Sequence, residues 1–529
     1  MKLGILAGGQ SRFARDPNIP REAYERVYST WIANCLNGSQ ADVVFVARNK
    51  LGDTDHIVGM LAAKIHDEAG HIILLAVSPE HRRQGIGKLL IASAYNWFLT
   101  RGISLAFVTT QEENTSAVTL YESCGGLKQR ASFDFHFWLR GIQFADPASS
   151  DIPNAKPFTC KNDISNVLRV MQSGMSHTHW HYGPECEKLL EAELGAAKCL
   201  LTTSGTSALE LSALCIGCQP GMEIIIPSYT FVSTALAFVT HGAVPVFVDI
   251  RADTQNIDET KIEAAITSKT VAIVCVHYAG VACEMDTIMS IAKHYGLYVI
   301  EDNAHGIFGT YKGRPLGTIG DLGCLSFHYT KNFTCGEGGA LLLNNRTLVS
   351  RALISWEKGT NRFDFLEGKV SKYYWVDKGG SFVLSELNAA VLHSQLSSRN
   401  FVLQDRLRIW YFYHAKLEHL ENSKMLKRPF IPAHCEHNAH IYYIRVYDAQ
   451  DRHRLAESAK KFKIGLFTHY EPLHASTGAA KFARVHQDCQ ETESCALTLF
   501  RLPIWVGMSE AELERVVEMI DAVFRDRST

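Results

Sequence analysis

Four short apolar runs, each ending in polar residues, constrain the fold of this chain more than any other feature. The runs are EIIIPS from Glu223, PVFVDI from Pro245, VAIVCVHYAG from Val271 and LYVIEDNAHG from Leu297. Runs this apolar are typical of strands that are buried on both faces. Helical stretches such as residues 286–295 separate them, as crossovers between parallel strands require. The sequence therefore predicts an α/β domain with a mainly parallel sheet.

The segment 144–157, FADPASSDIPNAKP, divides the chain. Its three prolines and its lack of apolar periodicity are typical of a linker. We therefore expect a small domain over residues 1–143 and a linker over 144–157, followed by a large domain at 158–400 and a smaller C-terminal lobe at 401–529. The lobe mixes helical stretches with the strand-like YYIRVYD, which predicts an α+β structure.

The small domain also has an α/β pattern. Apolar runs predict strands at residues 43–48, 71–77 and 105–109, and helical periodicity predicts helices at 84–100 and 116–124.

The overall charge and the cysteines narrow the class of protein. Lysine and arginine number 53 against 55 acidic residues, which gives a formal net charge of −2. This balance does not favour binding of a polyanion, and we expect no nucleic-acid partner. The 14 cysteines are scattered through apolar segments, which is typical of buried thiols in a reducing compartment. No stretch has the pattern of a signal peptide or a membrane span, so we expect a cytoplasmic protein with no membrane partner.

A glycine-rich loop marks the small domain. Residues 74–90 read LLAVSPEHRRQGIGKLL, which predicts a strand, a turn at Pro79, a loop from Arg82 to Gly87 and a helix. Glycines let successive amides converge on one point, and a helix N-terminus adds partial positive charge, so this loop suits a pyrophosphate. Together with NTSAVTLYESCGG from Asn114, the segment resembles the GNAT acetyltransferase family.

That resemblance implies an acetyl-CoA site and a general acid. The residues implied to hold acetyl-CoA are Val77, Arg82, Arg83, Gln84, Gly85, Ile86, Gly87 and Asn114. Among them, the backbone of Val77 would hold the pantetheine arm and the amides of residues 83–87 the pyrophosphate, while Tyr121 would protonate the departing thiolate. Upstream, residues 11–13 and Trp31 resemble the catalytic part of TDP-fucosamine acetyltransferases. The alternative is a surface loop and a core tyrosine.

Four segments of the large unit bear on one chemistry. TSGTSALEL from Thr203 places Ser, Gly and Thr at a helix start, which suits a phosphate. Phe231 follows a strand and is placed to cover a heterocycle, and Asp302 ends another strand, where ligands of open α/β sheets bind. Lys331 lies in SFHYTKN. A lysine, a strand-end aspartate, an aromatic ring and a phosphate cradle are the parts that a pyridoxal phosphate (PLP) enzyme requires.

These segments resemble the DegT/DnrJ/EryC1 sugar-nucleotide aminotransferases over about residues 158–528. The resemblance implies the PLP-dependent fold of aspartate aminotransferase, fold type I. It assigns PLP binding to Gly205, Thr206, Ser207, Phe231, Asp302, His305, Ser326 and Lys331. Lys331 would form the Schiff base and Asp302 would partner the pyridinium nitrogen. The family's sugar dehydratases carry histidine in place of Lys331, so the lysine favours transamination. Asn303 departs from the small residue common at its position.

The resemblance also places Asn332 and His440 at the substrate side. Two other clusters have the spacing of metal ligands. Cys215 and Cys218 have no second pair. In the second cluster, His434, Cys435, His437 and His440, the last histidine lies in NAHIYYI, a stretch that matches a family segment. We therefore predict no metal.

The predicted function joins two reactions. PSYTFVSTALAF and YKGRPLGTIG are similar to TDP-4-keto-6-deoxy-D-glucose 4-aminotransferases. We expect amination of that sugar nucleotide, a dTDP-sugar, with glutamate as amino donor, and then acetylation of the 4-amine by acetyl-CoA. The fold implies a homodimer. The alternatives are another keto sugar nucleotide or carbon, an acetyltransferase that acts on an unrelated amine, and a protein whose PLP fold only binds a ligand.

Overall fold

The structure, a computed structural model, describes residues 3, 5, 11, 14, 20–51, 54–66, 69–111, 114–127, 151–175 and 179–525. The chain divides into two compact units, Met1–Gln143 and Phe144–Thr529. Residues 144–150 of the predicted linker, and Arg12 and Phe13, lie outside the described residues. Within the described ranges, no helix combines the length and the apolar character needed to span a bilayer.

A four-stranded sheet with helices forms the described part of the first unit. Its elements are β1 (Val43–Leu51), β2 (Thr54–His66), β3 (Ala69–Val77), β4 (Ala106–Val108), α1 (Arg21–Leu36), α2 (Ile86–Leu99) and α3 (Thr115–Ser123). The strand order is β1-β2-β3-β4, antiparallel except for the parallel pair β3 and β4. Alternate residues of β2 face two cores: Met60 and Ala62 pack with α1, and Leu61 and Ala63 pack with α2. The predicted elements are confirmed to within three residues, whereas the sequence patterns did not predict α1 or β2.

The second unit contains fourteen described strands and fifteen described α-helices. The strands are β5 (Lys198–Thr202), β6 (Glu223–Pro227), β7 (Val244–Val248), β8 (Thr270–Val276), β9 (Tyr298–Asp302), β10 (Thr310–Tyr311), β11 (Arg314–Pro315), β12 (Leu322–Ser326), β13 (Gly339–Leu343), β14 (Leu426–Lys427), β15 (Cys435–Glu436), β16 (Tyr442–Val446), β17 (Arg484–Val485) and β18 (Leu499–Leu502). The helices are α4 (Asp163–Ser173), α5 (Tyr182–Leu194), α6 (Gly205–Cys215), α7 (Ser233–Val239), α8 (Ile262–Ala265), α9 (Met285–Tyr295), α10 (Val349–Trp356), α11 (Arg362–Leu366), α12 (Glu386–Ser397), α13 (Arg399–Lys416), α14 (Glu418–Asn422), α15 (Ala449–Phe462), α16 (Thr477–Phe482), α17 (Gln490–Thr498) and α18 (Glu510–Arg525).

An eight-stranded sheet organises this unit, in the order β17-β7-β6-β8-β9-β12-β13-β5. Only β13 runs antiparallel to its neighbours, so the predicted, mainly parallel sheet is confirmed. The four apolar runs are the neighbouring strands β7, β6, β8 and β9. In the register of β9 with β12, Asp302 lies opposite Cys324. Because parallel strands share their carboxyl edge, Asp302 and Ser326 end at the same edge of the sheet.

The C-terminal lobe has an antiparallel sheet of order β14-β16-β18. Residues of α13, α15 and α18 share its apolar core. Ile152 also belongs to that core, and its N–H donates to the Lys463 carbonyl at 2.9 Å. Asn154 Nδ2 donates to the carbonyls of Gly465 and Arg501. The described end of the 144–157 segment is therefore anchored to the lobe.

Candidate active sites

The first turn of α6 lies against the carboxyl end of β12. Ser204 caps the helix, because the Ser207 N–H donates to Ser204 Oγ at 3.0 Å. A Cβ on Gly205 would lie 2.8 Å from Ser326 Cβ, so only glycine permits this approach. The positive end of the α6 dipole therefore lies beside Ser326, and the predicted phosphate-binding residues come together at one place.

Thr206 and Phe231 connect this turn with the start of α7. Thr206 Oγ1 lies 2.7 Å from Oγ of Ser233, the first residue of α7. Phe231, two residues earlier, is 58% exposed, and its ring centroid is 6.5 Å from that of Tyr470. The Phe231 ring therefore retains free surface for stacking on a ligand.

Asp302 is a buried carboxylate with one oxygen strongly engaged. Thr234 Oγ1 donates to Oδ2 at 2.8 Å, while Oδ1 accepts a longer bond, 3.3 Å, from the Ala304 N–H. Burial raises the pKa of Asp302, against the hydrogen bonds and the positive charge of Lys331, which lower it. Oδ1 is the oxygen left available to a cationic N–H.

Lys331 follows β12 in a loop, where its own N–H donates to the His328 carbonyl at 2.9 Å. Burial lowers the pKa of Lys331 to about 8. The carboxylate of Asp302 opposes this shift, and the charge of Arg501 adds to it. A substantial fraction of this amine is therefore neutral near physiological pH, which is the form that acts as a nucleophile and a base.

His305 is buried and held as a neutral ring. The Ala279 N–H donates to Nδ1 at 3.4 Å, so Nε2 carries the proton and donates to Tyr470 Oη at 3.1 Å. Burial lowers the pKa of His305 well below its usual value, and the charges of Lys331 and Arg501 lower it further.

Three residues of the C-terminal lobe complete this site, and the sequence analysis missed them. His469 and Tyr470 stack with ring centroids 3.8 Å apart, and the Tyr470 ring is nearly parallel to that of His305. Arg501, in β18, is the third. The adjacent aromatics in THYEPLH were the available sequence signal, whereas Arg501 had none.

Asn332 and His440 lie next to the site and bond to each other. His440 Nδ1 is 3.0 Å from Asn332 Oδ1, and Asn332 Nδ2 donates to the Asn438 carbonyl at 2.9 Å. Both residues are buried, and the His440 ring centroid is 4.3 Å from that of His305. The side chain of Asn332 is thus engaged within its own chain.

Asn303 bonds to the loop that precedes β12. Its Nδ2 donates to the Leu316 carbonyl at 2.7 Å. A Cβ on Gly306 would lie 2.2 Å from Asn303 Oδ1, and one on Gly317 would lie 2.9 Å from Nδ2. The two glycines therefore leave room for Asn303, which is larger than the residue common at this position, and its hydrogen bond fixes the loop.

These residues fit PLP. The α6 N-terminus with Ser207 and Ser326 suits its phosphate, Oδ1 of Asp302 suits its pyridinium nitrogen, and the Lys331 amine suits its carbonyl carbon.

In the first unit, the loop between β3 and α2 has the geometry expected for a pyrophosphate. Arg83 and Gly85 have positive φ of 58° and 83°, which turns the backbone into the helix. No side chain caps α2, so its first N–H groups are free for an anion. Arg82 Nε donates to the Val77 carbonyl at 3.2 Å, and Gln84 Nε2 donates to Glu80. Both side chains thus brace the loop.

The other predicted residues of this unit lie on α2 and α3. A Cβ on Gly87, in α2, would lie 2.9 Å from Leu120 of α3, so this glycine also lets the two helices pack. Asn114 is the N-cap residue of α3, and Tyr121 is half-buried on that helix. Burial raises the pKa of Tyr121 to about 12, and Tyr95 adds to this shift. Tyr121 therefore keeps its proton at neutral pH, as a general acid must.

The cysteines are free thiols, all buried except the half-buried Cys124. Burial raises the pKa of Cys215 to about 12 and that of Cys218 to about 11, so both are protonated. In the part of the chain that the structure describes, no three His, Cys, Asp or Glu residues are grouped to hold a metal ion.

Comparisons with known proteins agree with this geometry. Residues 158–521 match the DegT/DnrJ/EryC1/StrS aminotransferase family, and residues 12–126 match the acetyltransferase (GNAT) family. The chain is 31% identical to the spore coat polysaccharide biosynthesis protein SpsC of Bacillus subtilis, over 70% of this chain and 96% of that protein. It is 30% identical to GDP-perosamine synthase of Caulobacter vibrioides, over 71% and 99%.

A solved structure shows the same fold. A Streptococcus pneumoniae protein described as a sugar aminotransferase, in its PLP form, aligns with a TM-score of 0.65 at 25% identity, covering 71% of this chain and 99% of that one. The chain thus belongs to the DegT/DnrJ/EryC1/StrS family of PLP-dependent aminotransferases, and it joins that enzyme to an acetyl-CoA-dependent GNAT acetyltransferase domain.

Proposed function

We propose that the protein aminates TDP-4-keto-6-deoxy-D-glucose at carbon 4, with glutamate as amino donor, and then N-acetylates the new amine to give TDP-4-acetamido-4,6-dideoxy-D-galactose. One observation carries this proposal: a single chain holds both a lysine of lowered pKa beside a buried carboxylate and a loop shaped for acetyl-CoA. The names of the relatives support sugar and polysaccharide chemistry. The nucleotide and carbon 4 rest on the resemblance of PSYTFVSTALAF. We also propose a homodimer, formed through the aminotransferase domain.

In the amination, bound PLP supplies an electron sink for the carbanion at the reacting carbon. Lys331 Nζ, partly neutral, takes the proton from the donor's α-carbon and returns a proton later. Asp302, as a carboxylate, would keep the ring nitrogen of the cofactor protonated through Oδ1, which accepts only a long bond from the Ala304 N–H. His305 and Tyr470 surround the amine and stay neutral, so neither competes for the proton. Lys331 is therefore the residue that transfers it.

In the acetylation, the neutral sugar amine attacks the thioester carbonyl. A C–N bond forms, the C–S bond breaks, and CoA leaves as its thiol after Tyr121 donates a proton to the sulfur. The attacking amine loses one proton to solvent, and solvent returns one proton to Tyr121. The high pKa of Tyr121 ensures that it is protonated when the thiolate leaves.

A second candidate substrate is a GDP-linked keto sugar. It is favoured by the 30% identity with GDP-perosamine synthase over 99% of that protein.

The test is incubation of the PLP-loaded protein with glutamate and the TDP- or GDP-linked keto sugar, with and without acetyl-CoA. Mass spectrometry and NMR identify the sugar nucleotide. We expect an amino sugar without acetyl-CoA and an N-acetylated sugar with it, from the TDP substrate. An unchanged TDP-keto sugar would refute the proposal. Amination without acetylation would support the aminotransfer and refute the proposed acetylation of the sugar amine.

A further inference from the structure

Strand β3 carries a bulge at the point where its pairing with β4 ends. In the register of β3 with β2, Ala62 lies opposite Leu74 and Ala63 opposite Ile72, which leaves Ile73 without a partner in β2. A bulge of this kind bends the strand that carries it. The pairing of β3 with β4 ends at Ile72. Beyond that residue, β3 has an edge that no described strand covers.

This open edge has the length of a pantetheine arm. It runs from Ile73 to Val77 and leads into the loop at residues 82–87, whose backbone suits a pyrophosphate. At about 3.3 Å per residue the edge spans about 16 Å, which matches an extended arm between pyrophosphate and sulfur. Acetyl-CoA held by this loop would therefore present its thioester at the junction where β3 meets β4.

His71 lies at this junction, on the face opposite to Tyr121. It pairs with Phe107 in the register of β3 with β4, and the two ring centroids are 5.6 Å apart. The next residue, Ile72, belongs to the core against which Tyr121 packs. Because successive side chains of a strand point to opposite faces, His71 points to the other face. His71 is half-buried and Phe107 is 39% exposed, so solvent reaches this face.

Two titratable groups of β2 neighbour the His71 ring. Lys64 lies opposite His71 in the strand register, and the ring centroid of His66 is 6.3 Å from that of His71. A lysine is charged near neutral pH and cannot accept a proton, whereas a neutral imidazole can. His66 pairs with Ala69, farther along the strands from the junction. Among the described residues of these strands, His71 is therefore the proton acceptor placed at the junction.

We propose that His71 is the general base of the acetyl transfer. This inference rests on the proposed acetylation of the sugar amine. As the C–N bond forms, His71 takes one proton from the attacking nitrogen and then releases it to solvent. The C–S bond breaks on the other face, where the sulfur takes the proton of Tyr121 and solvent returns one to the tyrosine. The two strands thus keep base and acid on opposite sides of the thioester.

The experiment measures CoA release from acetyl-CoA and supplied TDP-4-amino-4,6-dideoxy-D-galactose. The full-length proteins are wild type, His71→Gln, His71→Ala and, as a matched control, His66→Gln. A positioned general base contributes about 100-fold or more, so kcat should fall about 100-fold in His71→Gln and stay within about threefold in His66→Gln. The half-saturating concentration of the amino sugar should stay within about threefold in His71→Gln, because the loss is in proton transfer. Added imidazole should restore part of kcat in His71→Ala.

A second measurement does not depend on turnover. Calorimetry should show equal binding of CoA to wild type and His71→Gln, with equal melting temperatures. An unchanged kcat in His71→Gln, or an equal loss in His66→Gln, would overturn the proposal. So would a defect confined to half-saturation, which would make His71 a binding residue, or a loss with a lowered melting temperature and no imidazole rescue, which would make it structural. A wild-type protein that does not acetylate this amino sugar would overturn the proposed acetylation, and this inference with it.

Discussion

Replacing Thr234 by valine removes one hydrogen bond from Asp302 and should change the pH range of the aminotransferase. The Thr234 hydroxyl donates to Oδ2 at 2.8 Å and is fully buried, so solvent cannot replace it. Hydrogen bonds to charged groups are worth about 1.5–3 kcal/mol. At about 1.4 kcal/mol per pKa unit, the loss should raise the pKa of Asp302 by about one to two units.

The sign follows from which form of Asp302 is active. The carboxylate form holds the proton on the facing nitrogen, so activity falls as pH falls through the pKa of Asp302. Burial already raises this pKa, and the variant raises it further. The acidic limb of the glutamate half-reaction should therefore move to higher pH by about one to two units.

The assay is the rate of the glutamate half-reaction from pH 5 to 9, with Thr234→Ser as the matched control. Serine keeps the hydroxyl and should retain the wild-type limb. Thr230→Val is a second control. Among the described residues, Thr230 Oγ1 bonds only to the Thr234 hydroxyl, at 2.8 Å, so this variant should shift the limb less. An acidic limb that is unchanged in Thr234→Val, or equally shifted in Thr234→Ser, would show that the Thr234 hydroxyl does not set the pKa of Asp302.

Three further predictions separate the two domains and the cofactor cradle. Lys331→Ala should abolish amination but leave acetylation of a supplied TDP-4-amino sugar intact, as measured by CoA release; loss of both would contradict the assignment. Tyr121→Phe should slow CoA release about 100-fold or more with no change in the glutamate half-reaction, since it removes only the proton donor. Gly205→Ala puts a Cβ 2.8 Å from Ser326 Cβ and should weaken PLP retention about tenfold on dialysis at unchanged GNAT activity; normal retention would argue against α6 as the phosphate site.

Much of the large unit could be predicted because burial on both strand faces leaves little ambiguity. The apolar runs could only be central strands, and parallel strands end at one edge. Asp302 therefore lies at the predicted carboxyl edge. The strand that brings Ser326 to the same edge, β12, was not among the predicted runs. The loop and helix start predicted from RRQGIG are likewise present, whereas nothing in the pattern indicates the positive φ of Arg83.

What could not be predicted depends on distant contacts or weak patterns. The position of Arg501 depends on the pairing of β18 with Tyr443 of β16 and with Phe467, and no local spacing signals that. Helix α1 is mostly polar, and its buried residues are Tyr28, Ile32 and Cys35, so its apolar pattern is weak. Strand β2 contains Gly and Ala, which have low strand propensity, and its two faces serve two cores.

In the proposed function, both domains act on one nitrogen atom. The direct test is one reaction with ¹⁵N-glutamate, acetyl-CoA labelled with ¹³C at the carbonyl, and TDP-4-keto-6-deoxy-D-glucose, read by NMR of the sugar nucleotide. We predict a ¹⁵N–¹³C coupled amide on carbon 4. An unlabelled nitrogen, an acetyl group on oxygen, or ¹⁵N on carbon 4 without a coupled ¹³C would contradict the account.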